Sequence, residues 1–405
     1  MGITPAGPLD GLRIVELSSY IATPLCGLAL AQLGAEVIRV EQIGGAPDRS
    51  RLPRAAGGTS MYWSGLNKGK RALAVDLASQ AGRDLVADLI VGEGTGTAGG
   101  IVVSNSERYR DLTFAGLRER RSDVIHVLLT GRRDGGSAVD YTVQAETGFP
   151  FVSGPLEAAN PVNSQVPAWD IAAGLYLATG LLAAERERAA TGLGQQVRLA
   201  LEDVALSAIG AMGFLTEAQL GGISRGPSGN YVYGTYGHDF VSLDGVRFML
   251  VVLTASHWRG LLDQTGLVDA MAAVEKALEV DLSDEAERYR NRAVITALLQ
   301  GRFATLPWAD VVPLLARSRA LASPYRTFDQ VVASDMVRAN PLFSEVDQPG
   351  IGPHLAAGSP LVMAGRQGPA VPAPSVGEHT DEIVGALPGI DADRLQTLYA
   401  EGVIA

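Results

Sequence analysis

Short apolar runs separated by turns and by stretches of helical spacing open the chain. Leu12-Arg13-Ile14-Val15-Glu16-Leu17 reads as a buried strand, a small-residue helix follows from Leu25 to Leu33, and Gly34 closes it. Glu36-Val37-Ile38-Arg39-Val40-Glu41 is the next strand. Strand, helix and strand of this size make a parallel crossover unit. The alternation continues through strand Ala72 to Val75, helix Ala81 to Ile90, glycine-rich loop Gly92 to Gly100 and strand Ile101 to Ser104. Helix Tyr109 to Arg120, strand Val124 to Leu129 and strand Gln195 to Leu201 complete the series. The pattern predicts an α/β fold.

One longer segment organises the middle of the chain. Ile171, Leu175, Ala178 and Leu182 recur at helical spacing and predict one buried stripe. Asp170 falls at the N-cap position, and Gly192 suits the position past the charged run Glu185 to Arg188. A carboxylate there sits at the positive end of the helix dipole, as a plain cap or as a nucleophile. Glu202 to Leu220 reads as one apolar helix, and Gly221 to Tyr231 as a glycine-rich linker at a domain boundary. Tyr233 to Leu243, a turn at Asp244-Gly245 and Phe248 to Leu253 form a hairpin, with amphipathic helices following to about Arg319. Pro324 to Asn340 holds a short helix, Pro349 to Gly352 a turn, and Gly377 to Ile383 opens the last helices.

Composition narrows the classes. The chain has 405 residues, 47% hydrophobic and 19% charged, enough for two domains or one with an insertion. A net charge of −11 argues against nucleic acid or an anionic membrane as a partner, so an anionic ligand needs a local basic patch. Cys26 is the single cysteine, which excludes an intrachain disulfide and fits a reducing compartment. Met1 to Pro8 lacks the basic start and apolar run of a signal peptide, and no apolar run reaches the roughly 18 residues that span a bilayer. The expectation is a cytoplasmic protein. Five scattered histidines without a paired-ligand motif give no metal site.

Candidate chemistry lies in the loops. Tyr20 and Ile21 follow the first strand, at the edge where open α/β sheets bind ligands, although the glycines do not spell a dinucleotide motif. Lys68, Lys70 and Arg71 flank Gly69 just before a strand and form either a phosphate seat or a solvated turn. Asn105 stands at a strand's carboxyl end. Arg132 and Arg133, in a long glycine-bearing loop, form either a carboxylate or phosphate clamp or an unpaired surface pair. His379 reads as a helix-start or packing residue, and Cys26 as a small buried hydrophobe.

Over nearly its whole length the chain resembles the class III CoA-transferases. The residues that carry the resemblance are Pro8 to Leu17, Leu33 to Glu41, Asn67 to Arg71, Asp170 with the helix to Gly192, Asp244-Gly245, and Gly377 to Thr380. Within the family, Gly131 to Ser137 with Val139 to Val143, Pro167 to Ile171, and Gly229 to Tyr231 resemble members that move CoA between the two carboxyls of one mesaconate. The resemblance implies a Rossmann-like large domain built from both chain ends (1–222 and 331–405) and a smaller middle α+β domain (223–330). It also implies two interlocked chains, a homodimer. By it, Asp170 is the nucleophile that forms an anhydride and then an aspartyl-CoA thioester, and Gly229 and Asn230 are oxyanion donors. It implies that Arg39, Lys68, Lys70 and Arg71 meet the CoA phosphates, and that Tyr20, Ile21, Asn105 and Asp140 line the substrate site. Ile21 stands where formyl-CoA transferase has a glutamine, and Val139 where the racemases have a histidine, which cannot be replaced as a proton carrier by valine. No permanently bound cofactor is implied; CoA arrives as part of the substrate. Transfer to a separate acid and racemisation of a 2-methylacyl-CoA are the alternatives.

Overall fold

A computed structural model describes residues 7–92, 99–222 and 224–405. Most of the predicted loop from Gly92 to Gly100, residue Ile223 of the linker, and Met1 to Ala6 of the amino-terminal segment lie outside the described residues. The chain divides into two compact units. One holds residues up to Thr147, Gln165–Gly221 and Val337–Ala405; the other holds Gly148–Ser164 and Gly222–Met336.

In the first unit, six strands form one sheet: β1 (Arg13–Leu17), β2 (Glu36–Glu41), β3 (Arg71–Ala74), β4 (Ile101–Ser104), β5 (Ile125–Thr130) and β6 (Gln196–Ala200). Their order is β3-β2-β1-β4-β5-β6 and every neighbouring pair is parallel. This is the expected α/β fold. The order reverses between β1 and β4, and a sheet of this kind opens a crevice outside the carboxyl ends of those two strands. Helices α1 (Ala22–Ala31), α2 (Met61–Leu66), α3 (Gln80–Val91), α4 (Phe114–Arg120), α5 (Asp140–Glu146), α7 (Ala168–Thr191), α8 (Leu201–Ala211) and α9 (Phe214–Gly221) belong to the same unit, whereas α6 (Phe149–Val152) belongs to the second.

Alternate residues of each strand feed opposite faces, so both faces are covered. Ile14, Val37, Val103 and Val127 pack with Leu177 and Leu181 of α7 on one side. Val15, Ile38, Val40 and Val102 pack with Val86, Leu89 and Ile90 of α3 on the other. Each such side chain contributes about 1.5–3 kcal/mol relative to exposure. The carboxyl-terminal segment closes the edge beyond β3. The Ala405 amide donates to the Ala74 carbonyl, Thr380 Oγ1 donates to the Ala405 carbonyl, and His379 Nδ1 accepts the Ala72 amide. His379 is therefore a packing residue beside β3.

Two helices differ from expectation. α1 begins at Ala22 rather than Leu25, because Pro24 is tolerated within a first turn. The apolar run after β6 is broken into α8 and α9, bent by 64°, at Met212-Gly213, where Gly213 takes φ +79°. The buried face of α7 is also displaced. Trp169, Ala173, Leu177, Leu181 and Ala184 are buried, while Ile171 and Leu175 are 39% and 53% exposed. Gly174 decides which face turns inward: a Cβ there would stand 2.7 Å from the Ala22 carbonyl oxygen, so only glycine lets α7 lie this close to α1. No single helix among the described residues is long and apolar enough to cross a membrane.

The second unit carries an antiparallel sheet of β7 (Tyr236–Val241), β8 (Arg247–Val252) and β9 (Leu321–Pro324). The first two strands are the predicted hairpin, turning at Asp244-Gly245. Tyr236, Phe240, Phe248, Leu250, Trp258, Leu299 and Phe303 form its core.

Candidate active site

Pro167 stands at the N-cap of α7 and offers no side-chain cap. Asp170 is the third helical residue, not the cap expected from the sequence. The cap comes from Asp140, at the start of α5 and 1% exposed. Its Oδ2 accepts the backbone N–H of Trp169 at 2.8 Å and of Asp170 at 3.1 Å, and its Oδ1 accepts from Gln144 Nε2. An acidic side chain borrowed from another helix thus satisfies two amides of the α7 first turn. The Asp170 carboxyl is not consumed by that task.

Asp170 lines a cavity of about 850 Å³ in the first unit. Burial first, and the Asp140 charge second, push its carboxyl up to about 7, against the opposing charge of Arg51. Desolvation of a charge beside a like charge outweighs the helix dipole here.

The cavity sits at the crevice of the sheet, as the topology dictates. Tyr20 and Ile21 from the β1–α1 loop line it, with Asn105 after β4, Arg51, Tyr62 and Arg198. Tyr20 adopts φ +69°, a conformation costly for a side chain of its size, and its N–H donates to Asp48 Oδ2 at 2.8 Å. Asn105 Nδ2 donates to the Ser19 carbonyl at 3.2 Å, tying the loops after β1 and β4 together. Asp140 also lines the cavity, together with Gly135, Gly136 and Val139 of the long loop.

Three of the expected phosphate-binding cations, Arg39, Lys70 and Arg71, are held by carboxylates of the chain itself. Arg39 is 0% exposed, and its guanidinium meets Glu16 at 3.0 Å, Asp48 at 3.3 Å and Glu41 at 3.4 Å. Lys70 Nζ is buried against Glu16 at 2.9 Å and donates to the Pro24 carbonyl and Asn67 Oδ1, each at 2.9 Å. Burial pulls Lys70 down to about 8. Burial would raise Glu16, but Lys70 and then Arg39 outweigh it and hold the carboxylate below its usual range. These two cations are internal struts joining β1, β2 and the α2–β3 turn, because a buried carboxylate at position 16 demands partners. Arg71 is shared between Glu36 at 2.5 Å and Glu382 at 3.0 Å. Lys68 is half-buried, which pushes its amine down.

Arg132 and Arg133 do not line the cavity. Arg132 pairs with Glu146 at 2.6 Å and Glu202 at 3.1 Å, and Arg133 with Asp203 at 2.8 Å, so the first turn of α8 neutralises both. Gly229 and Asn230 lie in the second unit. The Gly229 N–H donates to the Gly154 carbonyl at 3.0 Å and Asn230 Nδ2 to Asp239 Oδ1 at 2.9 Å, so both groups already have acceptors. Arg51, Tyr62 and Arg198 line the cavity and were missed by sequence reading, as was Asp48, which anchors the Tyr20 amide beside it. Arg51 and Asp48 fall in the Gly44 to Gly58 stretch, whose polar composition, rich in Gly, Pro and Arg, reads only as an exposed loop.

The site is thus a crevice at the carboxyl ends of a parallel sheet, with a helix-borne aspartate backed by a second aspartate. Residues 9–380 match CoA-transferase family III, and the chain belongs to that family. The 2-methylfumaryl-CoA isomerase of Chloroflexus aurantiacus is 44% identical to it, over 98% of both chains. The succinyl-CoA:mesaconate CoA-transferase of Haloarcula hispanica is 27% identical, over 93% of this chain and 96% of its own. Among solved structures, a CAIB/BAIF family protein from Brucella suis superposes with a TM-score of 0.76 at 25% identity, covering 94% of this chain and all of the other.

Proposed function

We propose that this chain moves CoA between the two carboxyl groups of 2-methylfumarate (mesaconate), with Asp170 as the nucleophile. The observation that carries the reading is Asp170 itself: it lines the cavity at the crevice of the sheet while Asp140 takes over the capping of its helix. The 44% identity to an isomerase of 2-methylfumaryl-CoA supports the choice of substrate.

The steps balance without a cofactor. An Asp170 carboxylate oxygen attacks the thioester carbonyl, the C–S bond breaks, and CoA leaves as thiolate from a mixed anhydride. The thiolate attacks the aspartyl carbonyl carbon; the anhydride C–O bond breaks, releasing the substrate carboxylate and leaving an aspartyl-CoA thioester. The diacid stays bound and presents its other carboxylate, which attacks the aspartyl thioester and expels CoA thiolate. The thiolate then attacks the substrate side of the new anhydride, giving the isomeric thioester and restoring Asp170. Retention of the diacid makes the second half-reaction effectively unimolecular, a large kinetic gain. A carboxylate raised to about 7 is also more basic than an ordinary one and a stronger nucleophile once ionised.

No resident cofactor is part of this scheme; CoA enters and leaves as substrate. Exposed apolar side chains on α7 and α9, among them Leu175, Tyr176 and Leu220, support assembly as a homodimer. The lone buried Cys26 supports a cytoplasmic location.

Incubation with 2-methylfumaryl-CoA in the presence of labelled free 2-methylfumarate tests the reading. The expected result is isomerisation without label entering the thioester pool. Label uptake at the rate of isomerisation would instead mean transfer between separate molecules, and no isomer at all would refute the proposal.

A further inference from the structure

An intramolecular transferase must hold the carboxylate that is not activated, and the arginine pair once expected to do so is tied to α5 and α8. Two cations line the Asp170 cavity, Arg51 and Arg198. Arg198 faces Glu107 at 3.8 Å. Arg51 is exposed and makes no ion pair among the described residues. Its guanidinium carbon lies 5.5 Å from the Tyr20 ring centre and 5.1 Å from that of Tyr62, so two aromatic faces frame it. The Tyr62 hydroxyl is buried, with no hydrogen-bond partner among the described residues. An exposed guanidinium with no ion pair and a buried hydroxyl with no acceptor among the described residues therefore both line the cavity that holds Asp170.

We infer that Arg51 and Tyr62 form the receptor for the free distal carboxylate of the dicarboxylic thioester, and so set the enzyme's preference for diacids over simple acyl-CoAs. A carboxylate there supplies what both groups lack: a charge-assisted partner for the guanidinium fork and an acceptor for the phenol O–H. The selection falls on Arg51 over Arg198 because Arg198 already faces the Glu107 carboxylate. The inference rests on the proposed reaction, but its test does not require turnover.

The test measures binding of two thioesters by calorimetry: 2-methylfumaryl-CoA, and 2-methylbut-2-enoyl-CoA, which has a methyl where the former has its free carboxylate. Wild type, Arg51→Gln, Arg51→Lys and Tyr62→Phe are compared, with thermal melts as a folding control. Arg51→Gln should weaken the diacid thioester roughly ten- to a hundredfold, the range of a charge-assisted hydrogen bond, and leave the methyl analogue within about twofold. Tyr62→Phe should give a smaller loss of the same selectivity, and Arg51→Lys should recover part of it, as a point charge without the fork. Equal losses for both thioesters would make Arg51 a general or phosphate contact and overturn the inference, as would unchanged binding of the diacid thioester. Wild type that binds the diacid thioester selectively but fails to isomerise it would refute the proposed reaction and leave this receptor standing.

Discussion

Replacing Asp140 with asparagine keeps an oxygen for the Trp169 and Asp170 amides but removes the negative charge that helps hold the Asp170 carboxyl up at about 7. The reaction needs the ionised form, so wild-type turnover should rise with pH through about 7. Burial is the larger cause of the shift and Asp140 the second, so the substitution lowers the value without restoring that of a free aspartate. A like-charge interaction of about 1–2 kcal/mol corresponds to roughly one pH unit. At pH 6 the ionised fraction would then rise from about one-tenth to about one-half, roughly a fivefold gain in available nucleophile. The assay is the first-turnover rate of thioester isomerisation between about pH 5 and 9, fitted for its acid limb. An acid limb that stays in place, or moves to higher pH, refutes the electrostatic reasoning. Stability supplies an independent sign check. A carboxyl raised in the folded state binds protons that the unfolded chain has released, so it costs stability as pH rises from its unfolded value toward about 7. Asp140→Asn should flatten that decline.

Further substitutions probe the frame around the site. Asp140→Ala removes cap and charge together and should lower stability by about 1 kcal/mol more than Asp140→Asn, measured by denaturant melts. Lys70→Met leaves Glu16 buried with fewer partners and should cost about 3 kcal/mol in the same melts, despite the added apolar volume. Gly174→Val drives side-chain atoms into the Ala22 carbonyl and Leu25, and should destabilise by about 1–3 kcal/mol, with a fall in near-ultraviolet dichroism as α7 is pushed from α1. Arg132→Ala breaks only partly exposed ion pairs outside the cavity, so it should leave the denaturant midpoint nearly unchanged and kcat/KM within about threefold.

The α/β frame was legible because strands buried on both faces read as near-continuous apolar runs, and Val15, Ile38 and Val102 each sit inside one. Asp170, read as the cap, is the third helical residue of a helix that begins at Ala168, so the start of the organising helix was not legible, but its end was, from Gly192, a local signal. The break between α8 and α9 was not, since one glycine interrupts a run whose apolar content continues on both sides. The roles of Asp140 and Asp170 could not be separated either. The cap reaches α7 from thirty residues earlier in the chain, and spacing carries no trace of such a contact. Arg39 and Lys70 read as ligand cations because the carboxylate that claims them, Glu16, lies on another strand. Arg51 was invisible for the converse reason: nothing in its loop marks which arginine remains without a carboxylate once the chain is folded.

The central claim is the covalent role of Asp170. Wild-type protein mixed with 2-methylfumaryl-CoA, quenched within the first turnover and digested, should yield the peptide spanning Asp170 carrying the mass of CoA as a thioester, and Asp170→Asn should yield none and fail to isomerise. Isomerisation by Asp170→Asn at the wild-type rate, with no adduct on the wild-type peptide, would contradict it.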